Sequence, residues 1–354
     1  MDINGTLMSR DTEIAEIKDG RVIPIADVLL PLYLQRKDDF EGWLNERAID
    51  SHRTHSRLIK KALRLTTNTD AEIVLAVNAS TITDTYWFRK SGSALKYEDI
   101  RFKQNHYDKL ALSGDFDAFS RDPEPTPELT NIGSFEKAWR LIDGRWWMYK
   151  QGKPEELFSE LFVCRLGQKL GYPMAEYELD GDFIRSPDFT DGASVNYESM
   201  WSLVGDDEDY SRSYTALSLL SQKAADKFPA MIALDTVCFN ADRHTRNYGV
   251  LRDVETGTVL DLAPNFDNNI ALIATGYGKR TVSEKDLLIK LFVEFLNDTP
   301  MAMKTYRDEW QRDITPELVL DCISEIPIQV DGQFVSDFVT GRADFLEHRL
   351  EPND

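Results

Sequence analysis

Residues 240–269 read NADRHTRNYGVLRDVETGTVLDLAPNFDNN and set Asp242, His244 and Asn247 at one end against Asp267, Asn268 and Asn269 at the other. Asp242 and Asn247 stand five positions apart. Between Asn247 and Asp267, YGVLRD and TVLDLA are apolar arms of equal length on either side of VETG, the pattern of an antiparallel hairpin. Pairing of the arms turns a gap of twenty residues into one that a single ion can bridge. One amide and one carboxylate are hard oxygen ligands of the kind Mg²⁺ takes, with phosphate oxygens and water completing its shell. Asp242 then lies one loop away, free of the metal and placed to accept or orient a hydroxyl proton. His244 joins Asp242 and Asn247 in the candidate catalytic set. Ligands for a metal together with a separate carboxylate are what phosphoryl transfer requires, because positioning and charge neutralisation carry that reaction.

The same chemistry needs a cation for the nucleotide phosphates. In RWWMYK, strand alternation puts Lys150 on the side of Trp146 and Met148, so an ammonium ends an apolar row. Glu160, on the following helix among Leu157, Leu161, Val163 and Cys164, is a carboxylate in apolar company that needs a cation. A strand lysine paired with a glutamate on the next helix suits nucleotide binding. The phosphate loop is the least marked part: TNIGSFEKAW offers one glycine, Gly133, with Ser134 beside it.

These groups sit in two differently patterned halves. AWRLIDGRWWMYKQG reads as two strands about a DG turn, PEELFSELFVCRLGQKLG as a helix opened by proline and closed at Gly171, and MAEYELDGDFIRSPDFT as another strand pair. Residues 130–190 are therefore expected to form a small sheet-rich nucleotide-binding lobe. Residues 191–354 read as a helical catalytic lobe whose only clear strands are the hairpin above; FPAMIALDTVCF, SEKDLLIKLFVEFL with a Ser283 and Asp286 capping signature, and TPELVLDCISEI are its helices. SRDPEPTPELT marks an extended linker at 121–130. Upstream, 1–120 is a mixed accessory region with AEIVLAVNAS and DTYWFRK as strands and SHRTHSRLIKKALRL as a helix. That helix gathers Arg53, Arg57, Lys60, Lys61 and Arg64 on one side, a solvated face or a dock for an acidic partner.

A net charge of −20, from 41 basic and 61 acidic side chains, disfavours general nucleic-acid binding. Cys164, Cys238 and Cys322 lie in apolar surroundings and read as buried reduced thiols, which with no export signal and no apolar run long enough to span a membrane points to a cytoplasmic setting.

NADRHTRNYG and LAPNFDNN, supported by WWMYKQG and FSELFVCRLGQKLG, resemble the HipA-like serine/threonine kinases over about residues 126–354. The resemblance implies an α+β, two-lobed protein-kinase-like fold that depends on ATP and Mg²⁺. It gives Asp242 the part of catalytic aspartate, Asn247 and Asp267 those of metal ligands, and Lys150 that of nucleotide lysine. It further implies a protein substrate, an antitoxin-like partner, and self-phosphorylation in the phosphate loop, for which Ser134 is the candidate. In sequence, residues 1–120 show no resemblance to the usual N-terminal subdomain of HipA toxins. The DRHTRN order also resembles the catalytic loop of phosphoinositide kinases, and aspartate then asparagine at this spacing recurs in small-molecule phosphotransferases; both differ in acceptor. A catalytically silent kinase-like interaction module and a metal-dependent hydrolase are the readings from other classes; only His244 of five histidines lies near the acidic cluster, which weakens the last.

Overall fold

The computed structural model describes residues 3–66, 69–278 and 286–351. The chain divides into two compact units, one of residues 1–151, 179–198 and 251–258, the other of 152–178, 199–250 and 259–354.

The first unit carries β1 (Gly5–Ser9), β2 (Thr12–Lys18), β3 (Arg21–Pro24) and β4 (Tyr86–Lys90) in one antiparallel sheet of order β3-β2-β1-β4. A second sheet of order β5-β6-β8-β7 is built from β5 (Lys137–Ile142), β6 (Arg145–Lys150), β7 (Glu178–Asp180) and β8 (Phe183–Pro187). The β5–β6 turn is the expected one: Ile142 pairs with Arg145, and Asp143 and Gly144 adopt φ of +50° and +79°, the two left-handed residues that such a two-residue turn demands. Asp19 and Gly20 close β2–β3 in the same way, with φ of +50° and +77°.

Three sequence expectations change in this unit. AEIVLAVNAS is not a strand: Asp70–Leu75 is a helix that buries Ala71, Ile73 and Val74, and its short apolar run had fitted either period. The basic helix is only Ser56–Ala62, and Arg53 lies in the turn before it, 1% exposed, so it is no part of a solvated basic face. Residues 121–130 do not separate two cores, since Pro127–Thr130 is a buried 3-10 turn and Leu129 packs in one cluster with Ile49, Ile59, Leu110, Trp139 and Trp146. The accessory region and β5–β6 thus bury their apolar faces against each other.

In the second unit the helices Pro154–Lys169, Tyr210–Leu220, Gln222–Val237, Leu287–Asp298, Pro316–Ser324 and Gly332–Leu350 dominate. Ser221, Asp209, Asp286, Thr315 and Asp331 cap five of these, each side chain accepting a backbone N–H in the first turn. Asp286 therefore caps as expected, while Ser283 lies outside the described residues. The Gln222–Val237 helix is the buried centre, with Phe228 ringed by Tyr210, Tyr248 and Phe295. All three cysteines are free and buried, and burial pushes the Cys164 and Cys322 thiols up to about 11. Among the described residues no helix is long and apolar enough to cross a membrane.

The hairpin expected within residues 248–263 is present as β10 (Gly249–Asp253) and β11 (Val259–Leu262); Ala263 N–H donates to Gly249 O at its base and Asp253 N–H to Thr258 O at its tip. The sequence expectations include neither β9 (Val195–Ser199) nor the first three strands, β1 to β3.

Candidate functional site

The second unit brings Asp242, His244 and Asn247 onto one loop, which follows the Gln222–Val237 helix. Phe239, at φ +53°, turns the chain out of that helix, and Asn240 N–H then donates back to Asp235 O at 2.8 Å. Two bonds converge on the Asp242 carbonyl, from His244 N at 2.9 Å and from Asn247 Nδ2 at 2.9 Å. The second fixes the Asn247 amide so that its Oδ1, which accepts no hydrogen bond among the described residues, is left for a ligand. The Asp242 carboxylate likewise takes no hydrogen bond from the described residues. Burial pushes its pKa above the ordinary carboxylate value, with the like charge of Asp267 adding to the rise and His244 and Arg243 opposing it. A carboxylate left without donors and made more basic suits proton acceptance.

Asp267 follows the hairpin at φ +64°, a left-handed conformation that aspartate adopts more readily than most residues. Its neighbour Asn268 is buried and donates its backbone N–H to Glu160 Oε1 at 2.8 Å. Glu160 is fully buried on the Pro154–Lys169 helix, in the apolar company its neighbours imply. Within this unit it anchors the backbone beside Asp267.

The residue that joins the two loops is Arg243, 5% exposed. Its guanidinium donates to Asp235 through Nε at 2.8 Å and Nη2 at 3.0 Å, to the carbonyls of Asn247 at 2.6 Å and Phe266 at 2.7 Å, and to Oδ1 of Asn265 and Asn268 at 2.8 and 2.6 Å. Burial alone would lower its pKa; the Asp235 charge and hydrogen bonds more than offset this and hold it above the ordinary arginine value. One buried cation thus ties the backbone of the Asp242–Asn247 loop to that of the Asp267 loop. Neither Arg243 nor its buried partner Asp235 is marked out by the sequence motifs. The signal available was a lone carboxylate in the apolar run MIALDTV, which a buried partner had to neutralise.

The residues present fit a magnesium ion: an amide oxygen without a donor and a carboxylate, both hard donors, on two loops fastened to each other. Among the described residues no group of three or more His, Cys, Asp or Glu side chains is gathered for a metal.

In the first unit, Lys150 ends β6 and is 6% exposed, paired in register with Lys137 on one side and Ile184 on the other. Gly133 and Ser134 lie on the loop before β5; Gly133 has φ +107°, which requires glycine, and Ser134 is exposed.

No protein-family model matches this chain, and no curated protein matches it. Among solved structures it is similar to HipA of Shewanella oneidensis MR-1, determined with HipB and operator DNA, at a TM-score of 0.62 over 97% of both chains and 13% identity. The Helicobacter pylori proinflammatory kinase CtkA aligns with 61% of this chain and 91% of its own at 18% identity and a TM-score of 0.46. The fold is α+β and HipA-like.

Proposed function

We propose that this protein is an ATP- and Mg²⁺-dependent phosphotransferase, a HipA-like kinase that moves the γ-phosphate of ATP to a serine or threonine hydroxyl. The observation that carries the reading is the Arg243 guanidinium, which fastens the Asp242–Asn247 loop to the Asp267 loop through the carbonyls of Asn247 and Phe266. Asp242 accepts the acceptor hydroxyl's proton, Asn247 and Asp267 hold the metal, and His244 stands with them in the catalytic loop, its charge opposing the rise in the Asp242 pKa. When bound, Mg²⁺ neutralises phosphate charge during transfer. Lys150 serves the nucleotide phosphates, Glu160 supports the site from the Pro154–Lys169 helix, and Gly133 and Ser134 belong to the phosphate loop. By likeness to the Shewanella protein, an antitoxin-like protein partner belongs to the same proposal. At a net charge of −20, any DNA contact would fall to that partner.

Calorimetric titration with ATP tests the metal assignment. Asp267→Asn preserves the left-handed backbone and removes the charge, so it should weaken ATP binding in Mg²⁺ by about tenfold or more while leaving metal-free ATP binding unchanged. An equal affinity for Mg·ATP in wild type and variant would overturn the assignment.

A further inference from the structure

The basic segment at 51–65 is not accounted for by the proposed chemistry, and its one buried cation leads to the phosphate loop. Arg53 donates from Nη1 to Asn131 O at 3.0 Å and from Nη2 to Lys137 O. A single planar guanidinium therefore grips both ends of the loop 131–137, which contains Gly133 and Ser134. Behind it lies Glu128, fully buried, with Oε2 at 3.8 Å from Arg53 Nη2. Glu128 also accepts from Asn131 Nδ2 at 2.9 Å, from Trp139 N–H at 2.8 Å and from Asn105 Nδ2 at 2.8 Å. The side of the loop nearest β5 is fastened once more: Thr54 N–H donates to Glu136 Oε1 at 2.6 Å, and His55 Nδ1 stands 3.1 Å from Glu136 Oε2.

A buried ion pair is costly to desolvate, and hydrophobic replacements of similar volume are often no less stable, so its retention calls for a reason other than stability. Here each partner of the pair also bonds the loop or its flanks, and the guanidinium fork puts a separate nitrogen on each carbonyl, where an ammonium would have to serve both from a single nitrogen. A loop that presents backbone N–H groups to phosphate oxygens is useful only if its shape is set before the ligand arrives.

We infer that Arg53 and Glu128 are positioning residues for the phosphate loop, and that residues 1–120 serve the nucleotide site by holding loop 131–137 in its phosphate-binding shape. The inference rests on the kinase reading above. It makes the accessory region a working part of the nucleotide site instead of an independent docking module.

The experiment compares Mg·ATP with adenosine, which lacks phosphates, in wild type, Arg53→Lys and Glu136→Ala, and follows hydrogen exchange of the 131–137 amides in the absence of nucleotide. Arg53→Lys keeps the charge that Glu128 needs and loses the fork, so affinity for Mg·ATP should fall about tenfold, adenosine affinity should stay near wild type, and the loop amides should exchange faster. Glu136→Ala frees only one side of the loop from a half-buried contact and should act in the same direction more weakly, which keeps the test decisive if Arg53→Lys does not fold. An unchanged ratio of the two affinities in the folded variants overturns the inference. Wild-type protein that binds no Mg·ATP overturns the kinase reading and this role with it, whereas normal wild-type binding with an unchanged variant ratio overturns the clamp alone.

Discussion

Arg243→Met is the perturbation with the largest consequence that the structure allows to be worked through. Among the described residues, the substitution removes six hydrogen bonds and leaves the Asp235 carboxylate, with a side chain 2% exposed, bonded only to Asn240 Nδ2. Stranding one member of a buried ion pair costs about 3–5 kcal/mol, a large part of the roughly 5–15 kcal/mol that holds a domain folded. Asp235→Leu alone strands the guanidinium and should cost a similar amount. In the double variant neither charge remains, so the loss should fall short of the sum of the single losses by about 2 kcal/mol or more. Urea unfolding of the four proteins measures this coupling. Activity should not follow stability: with the carbonyls of Asn247 and Phe266 untied, turnover in the double variant should stay about a hundredfold or more below wild type at a temperature where it is folded, since small misplacements of reacting groups cost that much. Additive stability losses would refute the hub. A double variant that is folded and has wild-type turnover would refute the claim that Arg243 sets the geometry of the two loops.

Other outcomes concern single side chains. Lys150→Met should lower turnover steeply, and Glu160→Gln more weakly in the same direction; if the two serve one purpose, steady-state kinetics of the double variant will resemble Lys150→Met alone, whereas additive losses would separate them. Asp286 caps the Leu287–Asp298 helix and is hydrogen-bonded by both Nη atoms of Arg342; burial pushes its carboxyl up, but those bonds and the Arg342 charge outweigh it and hold the pKa below the ordinary value. A depressed carboxyl stabilises the fold above its unfolded pKa of about 3.9 and loses that contribution as pH falls through the folded value. Asp286→Asn keeps the cap and should melt several degrees below wild type at pH 7, for a loss of about 1–3 kcal/mol, with the gap closing under acid; a gap independent of pH in thermal melts would contradict the ion pair.

What the sequence disclosed was mostly local. The DG turn of β5–β6, the β7–β8 strand pair, the proline start of the Pro154–Lys169 helix and the hairpin that returns Asp267 toward Asn247 depend on short-range chemistry, and the structure contains all of them. AEIVLAVNAS failed because a short apolar run suits a buried strand or a buried helix, and only its packing decides between them. The loss of a boundary at 121–130 has a long-range cause: Leu129 and Trp139 share a core with Ile49 and Ile59, which proline-rich sequence cannot reveal. Arg53 and Arg243 were hardest to read, because arginine is ordinarily a surface residue and each is buried only by virtue of a carboxylate, Glu128 or Asp235, placed elsewhere in the chain.

The most direct measurement of the central claim is transfer itself. Purified protein incubated with Mg·ATP, with and without a serine-containing protein acceptor, should consume ATP and yield a covalent phosphoryl adduct in the intact mass spectrum, on the acceptor or on the chain's own Ser134. Asp242→Asn should bind Mg·ATP and yield no adduct, because it keeps the shape of the site and loses the proton acceptor. An Asp242→Asn protein that transfers phosphate at the wild-type rate, or a wild-type protein that neither binds nor consumes Mg·ATP, would contradict the account.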